Sequence, residues 1–421
     1  MEDDLTVFVG VDWADEEHDV VAVDQTGREL EAFQVAHSGL GLRRLAQRLT
    51  ELGGGNPGTV AVSIETSHGT IVDTLLERGF SVFSVNPKQL DRFRDRFSIA
   101  GAKDDRLDAL VMASCLRTDR KLFRQLQPDP PEIVKMRELS RTTKELVNER
   151  QRLTNQLREQ LHRFYPQMLE LGVEMHLDWF LDLLALLPTP AKAQKVRKAK
   201  VARLLTKHHV RRFDAEGLLK VLRQPELPLA PGAVEAAEAH TMLLLERLAL
   251  VCRQHKRAEK TLTQMLSDYA KEQEIEEQHD VEILRSLPGT GLIVLTTLLA
   301  EAQGPLSRRD YHALRGLSGV APVTRRTGKK GKQKKWTVVM RRACNSRLRD
   351  AMHHWCRTAI QKDPWARAFY DELRGRGHKH GRALRGLGDR LLKVACAMLR
   401  DGTMYDPDRK LCAMAVTERA A

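Results

Sequence analysis

The sequence lacks paired cysteines, long apolar runs and a basic leader, and each absence argues against a class of protein. Its six cysteines are scattered and none forms a CxxC pair, which argues against both a disulfide framework and a zinc site. No apolar stretch approaches the roughly 18 residues that a membrane-spanning helix needs. The N-terminal residues MEDDLTVFVG are acidic, whereas a signal peptide begins with basic residues. We therefore expect buried thiols and a cytoplasmic location.

The chain does have length, hydrophobic residues and an excess of positive charge. Its 421 residues are 42% hydrophobic and 30% charged, which is enough for more than one hydrophobic core. The formal net charge is +13. Lysine and arginine gain affinity for a polyanion by displacing counterions from phosphates, so this charge suits a nucleic-acid partner. A ribosome-associated or merely basic protein would have the same composition, so the choice depends on the motifs.

The N-terminal third alternates between strand-like and helix-like segments. Three early segments rich in β-branched residues predict a β-meander, and later strands alternate with helices. This order predicts an α/β layer fold with a mixed sheet. The predicted strands cover residues 6–12, 18–24, 31–35, 59–65 and 80–85, and the predicted helices cover residues 40–52 and 71–78.

The pattern changes after the proline-rich residues 128–131, which read as a linker. Residues 132–165 predict one long helix, because leucines recur seven apart. A second long helix is predicted over residues 233–273. Such a pair is typical of an antiparallel arm or an oligomerisation coiled coil, and equally of a helical bundle that packs on itself. Residues 166–230 between them predict short helices broken by prolines, and no chemistry is assigned to them.

Four carboxylates in the N-terminal third form a candidate metal site. The first strand ends on Asp12 and the fourth on Glu65, so paired strands would place them about 4.8 Å apart. Asp105 and Asp108 share one face if their segment is helical. Such a cluster repels itself unless it holds a cation, and oxygen ligands favour Mg²⁺, or Mn²⁺, over zinc. The alternative is structural, because a strand-end aspartate is often a turn residue and Asp105 could cap a helix.

The C-terminal third is helical and basic around a Gly- and Lys-rich loop. The loop, residues 325–335 (RRTGKKGKQKK), contains no acidic residue, which favours phosphate binding over a solvated face. Aromatic residues in this region are more typical of a core than of base stacking. The candidate nucleic-acid contacts are Lys103, Arg325, Arg326, Lys329, Lys330, Lys332, Lys334, Lys335, Arg341 and Arg342.

Two ordered sets of motifs resemble a known family. VGVDWADEEHD, SIETSHG and VNPKQLDRFRDRFSIAGAKDDRLDA resemble the RuvC-like domain of the DEDD transposases of insertion-sequence family 110, which are relatives of the Piv-type DNA invertases. ILRSLPGTGLIVLTTLLAE, LRGLSGVAPVTRRTGKK and RRACNSRLRDAMHHW resemble the transposase domain of the same family. Together the matches cover more than half of the chain, and the helical middle matches in character only.

The resemblance implies an α/β plus α architecture in three parts. Residues 1–127 would form a ribonuclease H-like (RuvC-like) domain, residues 128–278 a helical coiled-coil region, and residues 279–421 a mainly helical transposase domain. Asp12, Glu65, Asp105 and Asp108 fall on the four metal-binding acids of the family, with Mg²⁺ as the expected metal. The implied partners are the DNA of the element ends and target, and a structured guide RNA called a bridge RNA. The implied location is the nucleoid of a prokaryotic cell.

The resemblance also points to a nucleophile, with one departure from the family. The family carries a serine before a glycine after Gly-x-x-Pro, and the matching position here is Thr327. A threonine hydroxyl can attack phosphorus, but its β-methyl group restricts χ1 and crowds the in-line approach. Ser318 and Ser346 are the nearest alternative hydroxyls.

Three functions remain open on the sequence. The leading hypothesis is a site-specific recombinase in which Thr327 forms a phosphothreonine link to DNA beside the metal-binding acids. Because the two half-sites lie on different domains, a homodimer or homotetramer that completes them between subunits is expected. The alternatives are a junction-resolving or nicking nuclease that uses metal-activated water, and a non-catalytic nucleic-acid-binding relative. The presence of all four acids counts against the last.

Overall fold

The computed structural model describes residues 4–97, 104–274, 280–327 and 335–407, with backbone alone for residues 272–274, 325–327, 335 and 336. The chain forms two compact units, Met1–Pro130 and Pro131–Ala421, whose boundary falls in the predicted proline-rich linker. The further division of the second unit into a middle and a C-terminal domain stays a prediction.

The first unit is built on a six-stranded mixed sheet with the order β3-β2-β1-β4-β5-β6. Strands β1, β4 and β5 are parallel to one another, whereas β2, β3 and β6 pair antiparallel with their neighbours. The predicted meander and mixed sheet are confirmed, and β6 was missed because two residues show no alternation. The strands are β1 (Val7–Asp12), β2 (Glu17–Asp24), β3 (Glu29–Ala36), β4 (Val60–Ile64), β5 (Ser81–Ser84) and β6 (Arg124–Gln125).

Helices cover both faces of this sheet. Val9 belongs to a core shared with the first two helices, whereas its neighbour Phe8 belongs to a core shared with the next two. Alternate side chains of a strand point to opposite faces, so β1 contributes to both cores. This layered arrangement is consistent with the ribonuclease H-like fold that the resemblance implies. The helices are α1 (Gly39–Leu52), α2 (Thr70–Glu77), α3 (Pro87–Arg94) and α4 (Asp105–Asp119).

Helix α4 lies directly on β1, and Gly10 makes this close approach possible. A methyl group at Gly10 would overlap the carbonyl oxygen of Ala109 and would lie 2.8 Å from the backbone nitrogen of Ala113. Both obstacles are backbone atoms of α4, so no side chain can rotate away to make room. The position of α4 on the sheet is therefore set by a residue without a side chain.

The Gly10→Ala substitution is expected to lower the free energy of unfolding by about 2–3 kcal/mol, because the overlap can be relieved only by moving α4 away from β1. Urea denaturation followed by circular dichroism measures the loss. Gly39→Ala is the matched control, since no atom lies within 4 Å of the methyl group it would add. Equal stability of the two variants would contradict the close approach.

In the described residues of the second unit, all regular structure is helical apart from one hairpin. Its helices are α5 (Pro131–Phe164), α6 (Gln167–Glu170), α7 (Asp178–Leu186), α8 (Pro190–Lys195), α9 (Lys198–Lys207), α10 (Ala215–Leu222), α11 (Ala233–Glu274), α12 (Asp280–Ser286), α13 (Leu292–Glu301), α14 (Gln303–Ser307), α15 (Tyr311–Leu317), α16 (Ser346–Lys362), α17 (Pro364–Gly375) and α18 (His380–Asp401). The hairpin strands are β7 (Val323–Thr327) and β8 (Lys335–Val339).

The two predicted long helices are α5 and α11, and they pack against each other antiparallel. Met136 near the start of α5 shares a core with Leu266 near the end of α11, whereas Leu157 shares a second core with Leu248. Helices α6–α10 contribute to that second core, so the pair is part of a helical bundle. The oligomerisation coiled coil is not confirmed and stays a prediction.

The first of these cores also holds the C-terminal helices. Trp355 is fully buried and its indole N–H donates to the carbonyl oxygen of Pro288 at 3.0 Å. Trp365 is buried in the same core, as expected for the aromatic residues of this region. The continuous basic loop predicted over residues 325–335 needs correction, because its first three residues lie in β7 and its last in β8. Backbone pairing between these ends extends the hairpin into the predicted loop.

Two features of the described residues concern the cysteines and the membrane-spanning potential of the helices. The five cysteines within the described ranges form no disulfide, and four of them are buried, as predicted. Among the described helices, none is both long enough and apolar enough to cross a lipid bilayer.

Candidate active site

Two of the four predicted acids lie side by side at one edge of the sheet. Val11 pairs with Ile64 in the parallel β1–β4 ladder, so Asp12 and Glu65 are the next residues on neighbouring strands. Asp12 is half-buried and ends β1, whereas Glu65 is exposed. The fourth strand ends at Ile64 rather than at Glu65 as predicted, so Glu65 is the first residue beyond the ladder.

Asp108 lies on α4 and is held by an arginine that the sequence did not single out. The Arg94 guanidinium donates from Nε to one carboxylate oxygen at 2.5 Å and from Nη2 to the other at 2.6 Å. The Asp108 side chain is only 4% exposed. A buried carboxylate is tolerated only when it is paired, and this two-bond pairing is the strongest kind between an arginine and a carboxylate.

The positive charge of Arg94 acts on predicted acids of two elements, Asp108 of α4 and Asp12 of β1. Hydrogen bonding to Asp108 raises the pKa of Arg94 against the opposing effect of burial, and the charges of Asp108, Asp91 and Asp12 act in the same direction. Asp12 therefore also lies within the electrostatic reach of Arg94. A buried carboxylate needs a positive group beside it, and for Asp108 that group is Arg94.

Asp105 occupies a different environment from Asp108, although both lie on the first turns of α4. It is exposed and borders an open cleft of about 710 Å³, together with Asp104 and residues of β2 and β3 such as Asp19 and Gln34. The N-cap of α4 is Asp104, whose side chain accepts from the backbone N–H of Arg106 at 3.2 Å. The structural alternative for Asp105, a helix cap, is therefore taken by its neighbour.

The structure assembles the four acids only in part. Asp12 and Glu65 share the sheet edge, Asp108 pairs with Arg94, which also lies within electrostatic reach of Asp12, and Asp105 faces the cleft beside β2. Within residues 4–97, 104–274, 280–327 and 335–407, no group of three or more His, Cys, Asp or Glu side chains is placed to hold a metal ion. The sequence pattern located the acids but could not show the arginine among them.

The Arg94→Leu substitution is expected to lower the free energy of unfolding by about 3 kcal/mol, because Asp108 would remain buried without a partner. Urea denaturation in the presence of EDTA measures the change, and Arg92→Leu, an exposed position on the same helix, is the matched control. Combining Arg94→Leu with Asp108→Asn should cost less than the two single changes added together. Additive costs would show that the pair contributes no coupling energy.

The candidate nucleophile Thr327 is the last residue of β7, and its backbone pairs with Lys335 across the hairpin. Its side chain lies outside the described part of the structure. Of the two alternatives, Ser318 is fully buried, with its hydroxyl donating to the carbonyl oxygen of Arg315 at 3.5 Å. Ser346 is exposed at the first position of α16. Ser318 is therefore inaccessible to a DNA phosphate in this conformation.

The candidate nucleic-acid contacts are described only in part. Arg342 is exposed, and Arg341 is half-buried with its Nε donating to the carbonyl oxygen of Ala343 at 3.0 Å. The other candidates lie outside the described residues or side chains. They are Lys103, Arg325, Arg326, Lys329, Lys330, Lys332, Lys334 and Lys335.

A buried carboxylate anchors the segment that follows the hairpin. Glu301, at the end of α13, accepts from Arg141 Nε at 2.8 Å and from Asn345 Nδ2 at 2.8 Å. Asn345 in turn caps α16 by accepting from the backbone N–H of Leu348. Burial raises the pKa of Glu301, but the hydrogen bonds from Arg141 and Asn345, together with the charges of Arg141 and Arg137, outweigh it and hold the pKa below its usual value. The N-terminus of α16 is thus fixed to α5 and α13.

Comparison with known proteins gives two family matches, in the same order as the motifs. A model described as "Transposase" matches residues 9–166, and a model described as "Transposase IS116/IS110/IS902 family" matches residues 281–371. The first match contains the sheet edge and α4, and the second contains the hairpin and the start of α16. The sequence motifs and the family models therefore identify the same two regions.

Individual relatives extend these matches over nearly the whole chain. A putative transposase, y4uE, of Sinorhizobium fredii is 49% identical over 51% of this chain and 60% of its own length. The mini-circle putative transposase for IS117 of Streptomyces coelicolor is 35% identical over 97% of both chains. An uncharacterized 42 kDa protein of insertion element IS900 from Mycobacterium paratuberculosis is 26% identical over 95% of this chain and 97% of its own. The chain therefore belongs to the IS110 family of insertion-sequence transposases, which are enzymes of DNA recombination.

Proposed function

We propose that this chain cleaves and rejoins the DNA of its own insertion element, with Asp12, Glu65, Asp105 and Asp108 as metal ligands and Thr327 as nucleophile. The observation that carries the proposal is the sheet edge, where Asp12 ends β1 and Glu65 directly follows β4, while α4 brings Asp108 to the guanidinium of Arg94, which also lies within electrostatic reach of Asp12. Family membership supports the reaction class, and the position of the acids supports this location for it.

The donor chemistry of these residues fits a hard divalent cation. Asp12, Glu65 and Asp105 offer only carboxylate oxygens, which suit Mg²⁺ or Mn²⁺. Both oxygens of Asp108 accept from Arg94, so Asp108 would join them as a ligand only by exchanging this pairing for the metal. Asp105 is exposed on the first turn of α4, where its side chain is free of the buried pairing that holds Asp108. When bound, the metal would neutralise charge on the scissile phosphate. Without it, Arg94 balances the charge of Asp108.

The covalent step is a transesterification at phosphorus. The Thr327 hydroxyl oxygen forms a bond to the scissile phosphorus, the ester bond to one DNA oxygen breaks, and the hydroxyl proton passes through solvent to that oxygen. The number of phosphate ester bonds is unchanged, so the reverse step rejoins a strand without an energy source. A threonine differs from the serine of the family by a β-methyl group, which slows the attack without removing it.

The partners follow from the same proposal. The DNA partners are the element ends and the target, and a structured bridge RNA pairs with both. The acids and Thr327 lie in different structural units, so a homodimer or homotetramer completes the site between subunits. The basic residues of the 325–335 segment contact phosphates of these nucleic acids.

A covalent-adduct assay tests the proposal. The purified protein is incubated with element-junction DNA, the flanking noncoding RNA and Mg²⁺, denatured, and separated to detect DNA linked to protein. An adduct that requires Mg²⁺ and the RNA is the expected result. Cleaved DNA without an adduct would instead identify a nuclease that uses metal-activated water, and absence of both products would contradict the recombinase function.

A further inference from the structure

A stretch of the helical middle is basic without any acidic residue. Residues 183–213 contain nine lysines and arginines and no aspartate or glutamate. They run from the end of α7 through α8 and α9 to the segment before α10. Unbroken charge of one sign over this length repels itself, and a polyanion relieves the repulsion.

Acids from neighbouring elements neutralise only a third of these charges. Within the described structure, three of the nine lie within ion-pair distance of a carboxylate: Lys192 with Glu238, Lys198 with Glu216 and Lys207 with Asp182. The other six are exposed and have no acid within that distance in the described ranges. They are Lys195, Arg197, Lys200, Arg203, Arg211 and Arg212.

An open, mainly apolar cleft with two aromatic residues in its lining adjoins this basic stretch. It encloses about 610 Å³ and is bordered by Trp179 of α7 and by Phe213, whose ring centroids lie 5.7 Å apart at 44°. Arg212 lies over the Phe213 ring at 5.2 Å, and Arg158 of α5 borders the cleft as well. Glu174 is the acidic residue at the rim. We call this feature the aromatic cleft.

The basic face of α9 and the aromatic cleft are close together. Lys200, Arg203 and Lys207 lie on one face of α9, because residues three and four apart are neighbours on a helix. Lys207 pairs with Asp182, which lies one turn along α7 from Trp179. A strand of nucleic acid that follows this face therefore reaches the cleft.

We propose that the aromatic cleft binds an unpaired nucleotide of a single-stranded nucleic acid, while the basic face of α9 and Arg211 hold the flanking phosphates. A base stacks on the ring of Trp179 or Phe213, and Arg212 offers both a flat guanidinium and a charge for phosphate. This site is separate from the acids and from Thr327, so it does not depend on the chemistry proposed for them.

An unpaired strand fits the cleft better than a duplex or an acidic peptide. Bases can stack on a protein ring only when they are unpaired. The sugar-phosphate backbone of a duplex has no aromatic group that could stack on such a ring. Acidic side chains carry no aromatic ring that could stack on Trp179 or Phe213 in the lining of the cleft. The combination of rings and unpaired arginines is the one that single-stranded nucleic acid matches.

Fluorescence anisotropy on the full-length protein tests this proposal, in EDTA so that metal chemistry plays no part. The probes are labelled twelve-nucleotide oligo(rU), oligo(dT) and a duplex of the same length. Phe213→Leu keeps an apolar side chain and is expected to weaken single-strand binding at least about fivefold, because stacking on an aromatic ring is lost. Arg211→Gln with Arg212→Gln is expected to weaken it about tenfold and to lower the salt slope by about 1.4, since each phosphate contact contributes about 0.7.

The matched control is Arg43→Gln with Arg44→Gln, an adjacent and exposed arginine pair on α1. Selective loss with either single strand, with duplex binding and the control unchanged, supports the proposal, and the more affected probe identifies RNA or DNA as the ligand. Unchanged single-strand binding, or an equal loss for the duplex, overturns it.

Photocrosslinking of the unaltered protein gives a second readout that no folding defect can imitate. Oligonucleotides carrying 5-bromouracil are irradiated with the protein, and the crosslinked peptides are identified by mass spectrometry. A crosslink at Trp179 or Phe213 is expected. Crosslinks confined to other peptides overturn the assignment of the aromatic cleft, whatever the outcome of the covalent-adduct assay.

Discussion

The Asp12→Asn variant is expected to cleave element-junction DNA about a hundred to a thousand times more slowly than the unaltered protein. Asparagine keeps the shape of the side chain at the end of β1 but removes the negative charge. Loss of one negatively charged ligand weakens the binding of a divalent cation. The cation's stabilisation of negative charge in the transition state is worth several kcal/mol in such reactions. Because the substitution is isosteric and Asp12 is only half-buried, the midpoint of thermal unfolding should change little.

Single-turnover cleavage of labelled DNA measures this effect, with thermal unfolding recorded on the same samples. Asp15→Asn is the matched control, because Asp15 is an exposed acid three residues further along the same connection from β1 to β2. A similar rate for both variants would remove Asp12 from the proposed metal ligands. A low rate accompanied by loss of folded protein would instead assign Asp12 a structural role.

The Thr327→Ala variant is expected to form no covalent adduct, with a loss of at least about a thousandfold, because no other group replaces a missing nucleophile efficiently. Thr327→Ser restores a hydroxyl without the β-methyl group and should form the adduct at least as fast as the unaltered protein. The pair of substitutions separates the need for a hydroxyl from the need for threonine.

Denaturing gel separation of protein-linked DNA measures the adduct, and Thr324→Ala is the control on the same strand, at an exposed position. An adduct that survives in Thr327→Ala and disappears in Ser346→Ala would move the nucleophile to the start of α16. Cleavage that continues in Thr327→Ala without any adduct would favour hydrolysis by water. In each case the acids at the sheet edge would keep their proposed role.

Local sequence was sufficient to predict the long elements. The run of apolar and β-branched residues in Val7–Asp12 predicts a strand buried on both faces, and the seven-residue spacing of leucines within Pro131–Phe164 predicts one long helix with a buried face; the structure has both elements. Boundaries differ by one or two residues, because the ends of helices and strands are set by caps and pairing partners rather than by periodicity. The two-residue strand β6 carries no period at all and was missed.

The candidate site, too, could be predicted only in part from the sequence. The sequence located Asp12, Glu65, Asp105 and Asp108 through their order and spacing, and the comparisons confirm the family that this order indicates. Neither shows that Arg94 pairs with Asp108. The two residues are 14 positions apart on different helices, and their contact exists only because both helices pack on the same face of the sheet.

The helical middle contains a feature that could not be predicted from composition alone. Residues 166–230 carried no motif, and their prolines predicted only short helices. The sequence shows that residues 183–213 contain no acidic residue. It does not show which of their lysines and arginines pair with acids of other elements. Within the described residues, folding pairs three of the nine cations with carboxylates, leaves six without a carboxylate at ion-pair distance, and places Trp179 beside Phe213.

The sequence by itself determined the family, the mixed sheet, the two long helices and the positions of the acids, because these depend on local periodicity and on the order of motifs along the chain. The tertiary structure decided the rest: the close approach at Gly10, the pairing of Arg94 with Asp108, the separation of Asp105 from it, and the aromatic cleft. The close approach at Gly10, the Arg94–Asp108 pair and the aromatic cleft are contacts between residues on different elements. Contacts of this kind also give Asp105 and Asp108 different environments, although the two are only three residues apart. Such contacts are set by how helices and strands pack, which no single segment encodes.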